Sequence, residues 1–243
     1  MINIIIPLAL KKLVDENTLS QYPLPLLDIK GKPLIEYVLN NLNNIKEEKK
    51  FIFIVNDEDC QKYHIDNMLK LLVKNSSIIK VKGPTKGAVC SILMAIDHID
   101  KDENMVIVNS DQVIDCDYNR VLTEFKSDHV DGGVITFQSV HPRSSFVKII
   151  NGLVVQTAEK NPISNHAIAG FYYFKKGSDF INGAFNVIKY DDNYNGNYFT
   201  SAVYNQLILA GKKIITYQIQ NDEYHSFYST QKLKEFEEHL NLK

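Results

Sequence analysis

The stretch MVIVNSDQ, residues 105–112, places four consecutive apolar residues directly before a polar turn that contains an aspartate. A short apolar run bounded by turn residues is typical of a strand that is buried on both faces of a sheet. Three more such runs come earlier in the chain, at residues 3–6, 51–55 and 77–81. Four runs of this kind predict a central sheet of parallel strands.

Amphipathic segments separate these apolar runs. Pro33 opens the segment PLIEYVLNNL, and proline is well tolerated in the first turn of a helix. Residues 57–74 and 88–99 carry apolar side chains at spacings of three and four, which predicts two further helices. Strands that alternate with helices in this way indicate βαβ crossovers.

The pattern changes after residue 131. The segments GGVITFQ, FVKII, LVVQT and IAGFYYF follow one another with turns between them, including Asn151-Gly152, and without a helical pattern. This succession predicts an antiparallel meander. A helix over residues 199–210 that ends before Gly211, a strand over 212–219 and a helix over 229–240 complete the prediction. We therefore expect one α/β domain over residues 1–243, with a small antiparallel extension.

The composition excludes several classes of protein. The chain has 243 residues, of which 44% are apolar and 23% are charged, and this balance excludes a disordered or low-complexity protein. The formal net charge is −2, and no run of lysine and arginine interleaved with aromatic residues is present. We therefore expect no nucleic-acid partner and favour small molecules or proteins.

The sequence also bears on localisation. Cys60, Cys90 and Cys116 form no C-x-x-C pair, and reduced thiols fit a cytosolic protein. The apolar patch in MINIIIPLALKK is too short for a membrane span, and its order of charges does not match a signal peptide. We expect a cytoplasmic protein without membrane insertion.

Ligands of open α/β sheets bind at the carboxyl ends of the strands. The first strand is followed by an unusually long connection, residues 7–25, which favours a functional loop. Asp111 follows the buried run 105–108, and a carboxylate there is well placed to hold Mg²⁺ against a phosphate. Alternatively, Asp111 caps the following turn, and the residues alone leave both interpretations open.

Seven segments of the chain resemble one protein family in their order and spacing: IIIPLA, PLPLLDIKGKPLIEYVL, GPTKGAV, NSDQ, VHPRSSFVKI, AEKNPISNHAIAGFYYFKKGSDF and NYFTSAVYN. This succession resembles the bacterial sugar-phosphate nucleotidyltransferases, particularly capsule-type members, and it covers nearly the whole chain. The resemblance implies a Rossmann-like fold of the glycosyltransferase-A kind. It also implies a nucleotide-binding half, residues 1–130, and an acceptor half for the sugar phosphate, residues 131–243.

Such enzymes join a nucleoside triphosphate to a sugar phosphate, or to a similar phosphorylated metabolite, and release pyrophosphate. The resemblance implies that Asp111 holds Mg²⁺ together with a second acid, and that Asp111 and Lys160 are the catalytic residues. It implies acceptor contacts from Glu159, Lys160, Asn165, His166 and Gly170. It implies nucleotide contacts from Leu8, Ala9, Thr85, Gly87, Ala88, Asn109 and Gln112.

Several of these residues also have a simpler interpretation. Glu159 and Lys160 can be an ordinary surface ion pair, His166 a hydrogen-bonded loop histidine, and Gly170 a strand irregularity.

The triphosphate side departs from the family pattern. Where the family has a glycine-rich loop with an arginine, residues 8–14 read LALKKLV. Leu24 stands at the position of the lysine in the family's Pro-Lys-Pro element, and Asn197 stands where relatives tend to carry an acid. One lost electrostatic contact to a transferring phosphoryl group costs about a hundredfold in rate or more. We therefore expect nucleotidyl transfer to be reduced or lost, with acceptor-side binding retained.

Two alternatives remain open. The chain can be an active, divergent nucleotidyltransferase in which Lys11, Lys12, a partner subunit or a second copy of the chain supplies the missing charge. It can also be a glycosyltransferase that uses a ready-made nucleotide sugar, although Asp111-Gln112-Val113 lacks the Asp-x-Asp of many such enzymes. The sequence leaves the base and the phosphorylated acceptor undetermined.

Overall fold

The computed structural model describes residues 1–9 and 22–242. Those residues form thirteen strands and eight α-helices. The strands are β1 (Ile2–Pro7), β2 (Asp28–Ile29), β3 (Lys32–Pro33), β4 (Lys49–Asn56), β5 (Ser77–Val81), β6 (Asn104–Val108), β7 (Gln112–Ile114), β8 (Gly132–Gln138), β9 (Ser145–Ile150), β10 (Leu153–Glu159), β11 (His166–Phe174), β12 (Ile214–Gln218) and β13 (Tyr224–Ser226). The helices are α1 (Leu34–Asn43), α2 (Asp57–Tyr63), α3 (Ile65–Leu72), α4 (Ala88–Leu93), α5 (Tyr118–Phe125), α6 (Gly177–Lys189), α7 (Thr200–Leu209) and α8 (Thr230–Asn241).

Nine strands form one mixed sheet. Strands β5, β4, β1 and β6 are parallel neighbours, and β11 then pairs antiparallel with β6. On its other edge β11 pairs with β8, which in turn pairs in parallel with β12. The hairpin of β9 and β10 joins the sheet through Ala167 of β11 and Phe146. The predicted α/β fold, a mostly parallel central sheet with an antiparallel extension, is confirmed.

The sheet is buried on both faces because its central strands are apolar at nearly every position. Alternate residues of β1 contribute to opposite cores, with Ile4 and Ile6 on one face and Ile5 on the other. Helices α1, α3 and α5 cover the first face, and α4, α6 and α7 cover the second. The four apolar runs of the sequence all lie in strands of this sheet, as predicted.

The helix predictions need three corrections. The expected helix over 57–74 is two helices, because His64 adopts the left-handed conformation (φ 53°) between α2 and α3. The expected helix over 88–99 ends at Leu93, and a 3₁₀ turn at Ile96–His98 follows. Helices α5 and α6 were not predicted.

The remaining elements agree with the sequence more closely. Pro33 directly precedes α1 with an extended backbone, and Gly211 follows α7 in the left-handed region (φ +77°). The cysteines Cys60, Cys90 and Cys116 are free thiols. Within residues 1–9 and 22–242, none of the helices combines the length and the hydropathy needed to cross a bilayer.

Candidate functional site at the carboxyl ends of the strands

Asp111 lies in the short connection between β6 and β7, past the carboxyl end of a strand whose four apolar residues are all buried. Its side chain is half-buried, and its Oδ1 atom is enclosed without a hydrogen-bond partner among the described residues. Burial raises the pKa of this carboxyl above its usual value. An enclosed carboxylate oxygen that the protein leaves unpaired is suited to receive a cation.

Gly170 of β11 leaves room for the side chains of Gln112 and Asn109. Its φ is +74°, and a Cβ atom built there would lie 1.7 Å from Nε2 of Gln112. The Gln112 amide also donates to the Ala169 carbonyl and accepts a 3.0 Å hydrogen bond from the Tyr224 hydroxyl. The N–H of Asn109 donates to the Gly170 carbonyl at 2.9 Å. The strand irregularity suggested by the sequence is therefore real, and it brings Asn109, Gln112 and Gly170 together.

Glu159, at the end of β10, is a second half-buried carboxylate. Its Oε2 atom accepts hydrogen bonds from the hydroxyls of Ser145 and Ser201, the latter at 2.9 Å. Burial raises the pKa of Glu159, whereas the two hydroxyls and the Lys160 ammonium group oppose that rise. The carboxylate is therefore held in one orientation, unlike an ordinary surface acid.

Lys160 follows with a left-handed backbone (φ 52°), and its N–H donates to the Ser144 carbonyl at 3.0 Å. Its Nζ atom lies 5.2 Å from the ring centroid of Phe199 and 5.4 Å from that of Tyr194. Cation–π contacts of this length hold an ammonium group without neutralising its charge. Lys160 therefore keeps a positive charge available next to Glu159.

A pocket of about 270 Å³ opens beside Glu159. Strand β10, the segment before α7 and the first turns of α7 form its walls. The lining residues are Thr157, Ala158, Glu159, Asn161, Asp192, Asn193, Tyr194, Phe199, Ser201, Ala202 and Asn205. Aromatic and amide side chains around a carboxylate suit a hydroxyl-rich ligand.

Tyr172 of β11 lies where the charges of Glu159 and Asp111 both act on its hydroxyl. Its side chain is buried, and burial raises the pKa of its hydroxyl, with further contributions from the charges of Glu159 and Asp111. The hydroxyl is therefore within electrostatic reach of both acids.

The other two predicted acceptor residues differ in burial. The Nδ1 atom of His166 is enclosed and has no partner within the described part of the chain, while its backbone N–H donates to the Ser164 hydroxyl at 3.0 Å. Asn165 is exposed, and its carbonyl accepts from the Ser139 N–H at 3.0 Å.

The predicted nucleotide-binding residues are largely engaged with the protein itself. The N–H groups of Leu8 and Ala9 donate to the Ile54 carbonyl at 2.7 and 3.0 Å. Residues 10–14 of the expected phosphate loop, including Lys11 and Lys12, lie outside the described residues. Because the two amides already have an acceptor, they are not free to bind phosphate in this conformation.

The segment from Thr85 to Ala88 packs against Tyr198. A Cβ atom at Gly87 (φ +95°) would lie 2.5 Å from the Tyr198 carbonyl oxygen, and the Tyr198 N–H donates to Lys86 at 2.8 Å. The Thr85 hydroxyl lies 2.6 Å from that of Ser91, and Ala88 begins α4. Close approach of the chain itself therefore explains why glycine occupies position 87.

Leu24 and Asn197 also have structural roles. Leu24 begins a 3₁₀ turn at Leu24–Leu26 and packs, half-buried, against the core on the α1 side of the sheet. Asn197 closes a tight turn through Asn195 and Gly196, exchanging backbone hydrogen bonds of 2.9 and 3.1 Å with Tyr194.

A sequence model of the family described as nucleotidyl transferase matches residues 18–224. The chain belongs to this nucleotidyl transferase family. It is 30% identical over 160 residues to the bifunctional protein GlmU of Methanococcus aeolicus, an alignment that covers 63% of this chain and 35% of GlmU. This nucleotidyl transferase chain therefore spans about a third of the length of that curated relative.

Solved structures share the fold. The nucleoside-diphosphate-sugar pyrophosphorylase of Vibrio cholerae RC9 superposes with a TM-score of 0.79 at 22% identity, covering 98% of this chain and 100% of that one. The inositol-1-phosphate CTP transferase of T. maritima gives a TM-score of 0.74 at 14% identity, covering 98% and 94%. At these identities the likeness describes the architecture of the nucleotidyl transferase chain.

Three residues of the site lay outside the sequence prediction. The hydroxyls of Ser145 and Ser201 hold Glu159, and Tyr172 lies near both acids. Serine and tyrosine in a strand or helix give no periodic signal, and these residues meet only after folding brings β9, β11 and α7 together. Their presence within the family-like segments was the one available signal.

Proposed function

We propose that the protein binds a phosphorylated sugar, or a nucleotide conjugate of one, in the pocket beside Glu159, and that it catalyses nucleotidyl transfer slowly or not at all. The pocket of about 270 Å³, with an oriented carboxylate in its wall and the Lys160 ammonium group beside two of its aromatic rings, carries this proposal. The proposed setting is nucleotide-activated sugar metabolism in the cytoplasm, and the capsule-type motifs favour surface polysaccharide synthesis.

The acceptor side supports binding. An oriented carboxylate can accept hydrogen bonds from sugar hydroxyls, while the Lys160 ammonium group can offset the charge of a phosphate. Asn161 and Asn205 add amide groups to the pocket wall. In this proposal residues 131–243 form the acceptor half, and residues 1–130 the nucleotide-binding half.

The residues on the nucleotide side favour slow or absent catalysis. Leu24 contributes apolar surface that packs on the core, where the family pattern has a lysine. The N–H groups of Leu8 and Ala9 donate to Ile54. Transfer of a phosphoryl group depends on positive charge and amide donors that are in place before the reaction, and these positions supply neither.

Magnesium fits the chemistry of Asp111, whose unpaired Oδ1 atom can act as one oxygen ligand. Mg²⁺ is commonly held by one or two carboxylates together with water and substrate phosphates. When bound, the ion would supply positive charge beside the phosphates. The backbone of Asp111 is tied to the segment after β13, because its carbonyl accepts from the Phe227 N–H at 3.3 Å.

The same unpaired oxygen favours a second candidate, an active and divergent nucleotidyltransferase. In that reaction an oxygen of the sugar phosphate bonds to the α-phosphorus of a nucleoside triphosphate, and the bond to the departing pyrophosphate breaks. The positive charge would then come from Lys11 or Lys12, from a partner subunit or from a second copy of the chain.

Calorimetric titration with sugar phosphates and nucleotide sugars, with and without Mg²⁺, tests the binding proposal. We expect at least one such ligand to bind, and Glu159→Gln to weaken its binding at least tenfold. Glu124→Gln, a change at an exposed position, is the matched control and should leave affinity unchanged. Absence of binding across both ligand classes would overturn the proposal.

Pyrophosphate release from the four common triphosphates, each paired with sugar phosphates, separates the two candidates. We expect no appreciable release by the unmodified protein and no recovery in Leu24→Lys, because a single lysine leaves the other departures unchanged. Rapid release that Asp111→Asn abolishes would establish the active enzyme instead.

A further inference from the structure

Two histidines and an aspartate meet beside the β7–β13 pair. Asp115 directly follows β7, His225 is the middle residue of β13, and His239 lies in the last turn of α8. The three positions come from segments up to 124 residues apart in the chain. None of them belongs to the pocket beside Glu159.

The three side chains converge on a small volume. One ligand atom from each residue can be chosen so that all three lie within 4.8 Å of one another. His239 Nε2 lies 3.2 Å from Asp115 Oδ2, and the two imidazole rings have centroids 4.4 Å apart. All three residues are half-buried.

The Nε2 atom of His225 is enclosed and has no hydrogen-bond partner among residues 1–9 and 22–242. Buried polar atoms in folded proteins are nearly always paired, so this nitrogen calls for an explanation. The neighbouring Phe236 ring, 4.9 Å away, closes the apolar side of the imidazole and offers it no acceptor.

We propose that Asp115, His225 and His239 form a binding site for a divalent transition-metal ion of the Zn²⁺ class. Two imidazole nitrogens and one carboxylate oxygen are a ligand set that such ions accept, with water completing the coordination. Magnesium and calcium prefer ligand sets made of oxygen, so this site has a different preference from Asp111.

Binding an ion requires only a small movement of these side chains toward one another. Bonds of about 2.0–2.1 Å in a tetrahedral complex place ligand atoms about 3.3 Å apart. The Asp115–His239 distance of 3.2 Å already matches that value. The remaining adjustment is about 1.5 Å at most, which side-chain rotation of His225 can provide.

A bound ion would connect α8 to the strand pair that follows Asp111. Strand β7 begins at Gln112, and Tyr224 of β13 holds the Gln112 amide. The ion would therefore fix the C-terminal helix against the elements that shape the Asp111 region. Its expected role is structural, and the proposal does not depend on catalysis.

Metal titration of the tag-free, full-length protein tests the proposal with Zn²⁺ and Co²⁺ as probes. We expect one equivalent of Zn²⁺ to bind, and the melting temperature to rise by about 5–10 °C at a hundredfold excess over Kd. Co²⁺ should give visible absorption bands of a four-coordinate complex. Mg²⁺ at the same concentration should give a smaller shift.

Variants assign the binding to these residues. His239→Gln and Asp115→Asn remove one ligand each at or near the surface, and we expect the Zn²⁺-induced shift to fall by at least three quarters. His129→Gln, which removes an exposed imidazole from another loop, is the matched control and should keep the full shift. Because these readouts compare each folded variant with and without metal, a change in basal stability does not affect them.

Three results would overturn the proposal. They are the absence of a stoichiometric Zn²⁺ complex in the unmodified protein, an equal shift in His239→Gln and His129→Gln, or a Mg²⁺ shift as large as that of Zn²⁺.

Discussion

Asp111 and Glu159 are both half-buried carboxylates whose pKa is raised by burial, but they differ in their hydrogen-bond partners. Two serine hydroxyls donate to Glu159. Asp111 keeps one enclosed oxygen without a partner in the described chain. A buried charge that is hydrogen-bonded is already compensated by the protein. A buried charge without a partner indicates a ligand that arrives from outside. The acceptor pocket is therefore preorganised, while the Asp111 region depends on a ligand.

Among the variants that test this comparison, Gly170→Ala is expected to have the largest effect on stability. The new methyl group would overlap the Gln112 amide, and alanine is strained at φ +74°. We expect a loss of about 3 kcal/mol in the free energy of unfolding. Urea denaturation measures it. Gly152→Ala is the control, since its φ is +79° but no atom lies within 4 Å, and it should cost about 1 kcal/mol. Equal costs would show that Gln112 does not depend on this space.

Removing one donor to Glu159 should have the next largest effect. In Ser201→Ala the ionised carboxylate loses a 2.9 Å hydrogen bond, and we expect a cost of about 2 kcal/mol at pH 8. That hydroxyl favours the ionised form, so its loss raises the pKa of Glu159 further. The cost should therefore shrink as the pH falls and Glu159 becomes protonated. Denaturation at pH 8 and pH 5 measures both values, and a cost independent of pH would contradict this account.

Asp111→Asn should stabilise the ligand-free protein. A carboxyl whose pKa is raised by folding contributes most below its unfolded-state pKa and loses that contribution as the pH rises through the folded-state value. At pH 7 the charge opposes folding, so its removal should add about 1 kcal/mol. Denaturation at pH 7 tests this, and the same variant should lose Mg²⁺-dependent ligand binding. A destabilised variant would mean that the Asp111 charge has a partner within the protein.

The smallest effect is expected from Glu159→Gln. The pKa of Glu159 is also raised, so removal of its charge should change the free energy of unfolding in the same direction as in Asp111→Asn. The change is smaller because the two serine hydroxyls already compensate the charge. We expect a change within about 0.5 kcal/mol at pH 7, comparable to Glu124→Gln. If Glu159→Gln stabilises the protein more than Asp111→Asn does, the contrast between the two carboxylates is wrong.

Much of the fold could be predicted because the signals are local. The apolar runs at 51–55 and 105–108 specify buried strands, and Gly211 and Pro33 mark helix ends whatever surrounds them. The break at His64 could not be predicted, because the pattern of apolar spacings continues across it, although His64 ends α2 in the left-handed conformation (φ 53°).

The candidate site divides in the same way. The family-like segments predicted Asp111, Glu159 and Lys160 as site residues. The partners that define their chemistry, Ser145 and Ser201, follow no pattern in the sequence. For Gly87 the resemblance implied a nucleotide contact, whereas the group that lies against it in the structure is the backbone of Tyr198.

By itself the sequence determined the alternation of strands and helices, the family-like order of its motifs and the position of an acid after β6, because each depends on neighbouring residues. Only the tertiary structure decided which carboxylate is paired, where the pocket opens, and that Asp115, His225 and His239 meet. Those properties depend on contacts between residues far apart in the chain, and burial changes the free energy of a charge only after such contacts have formed.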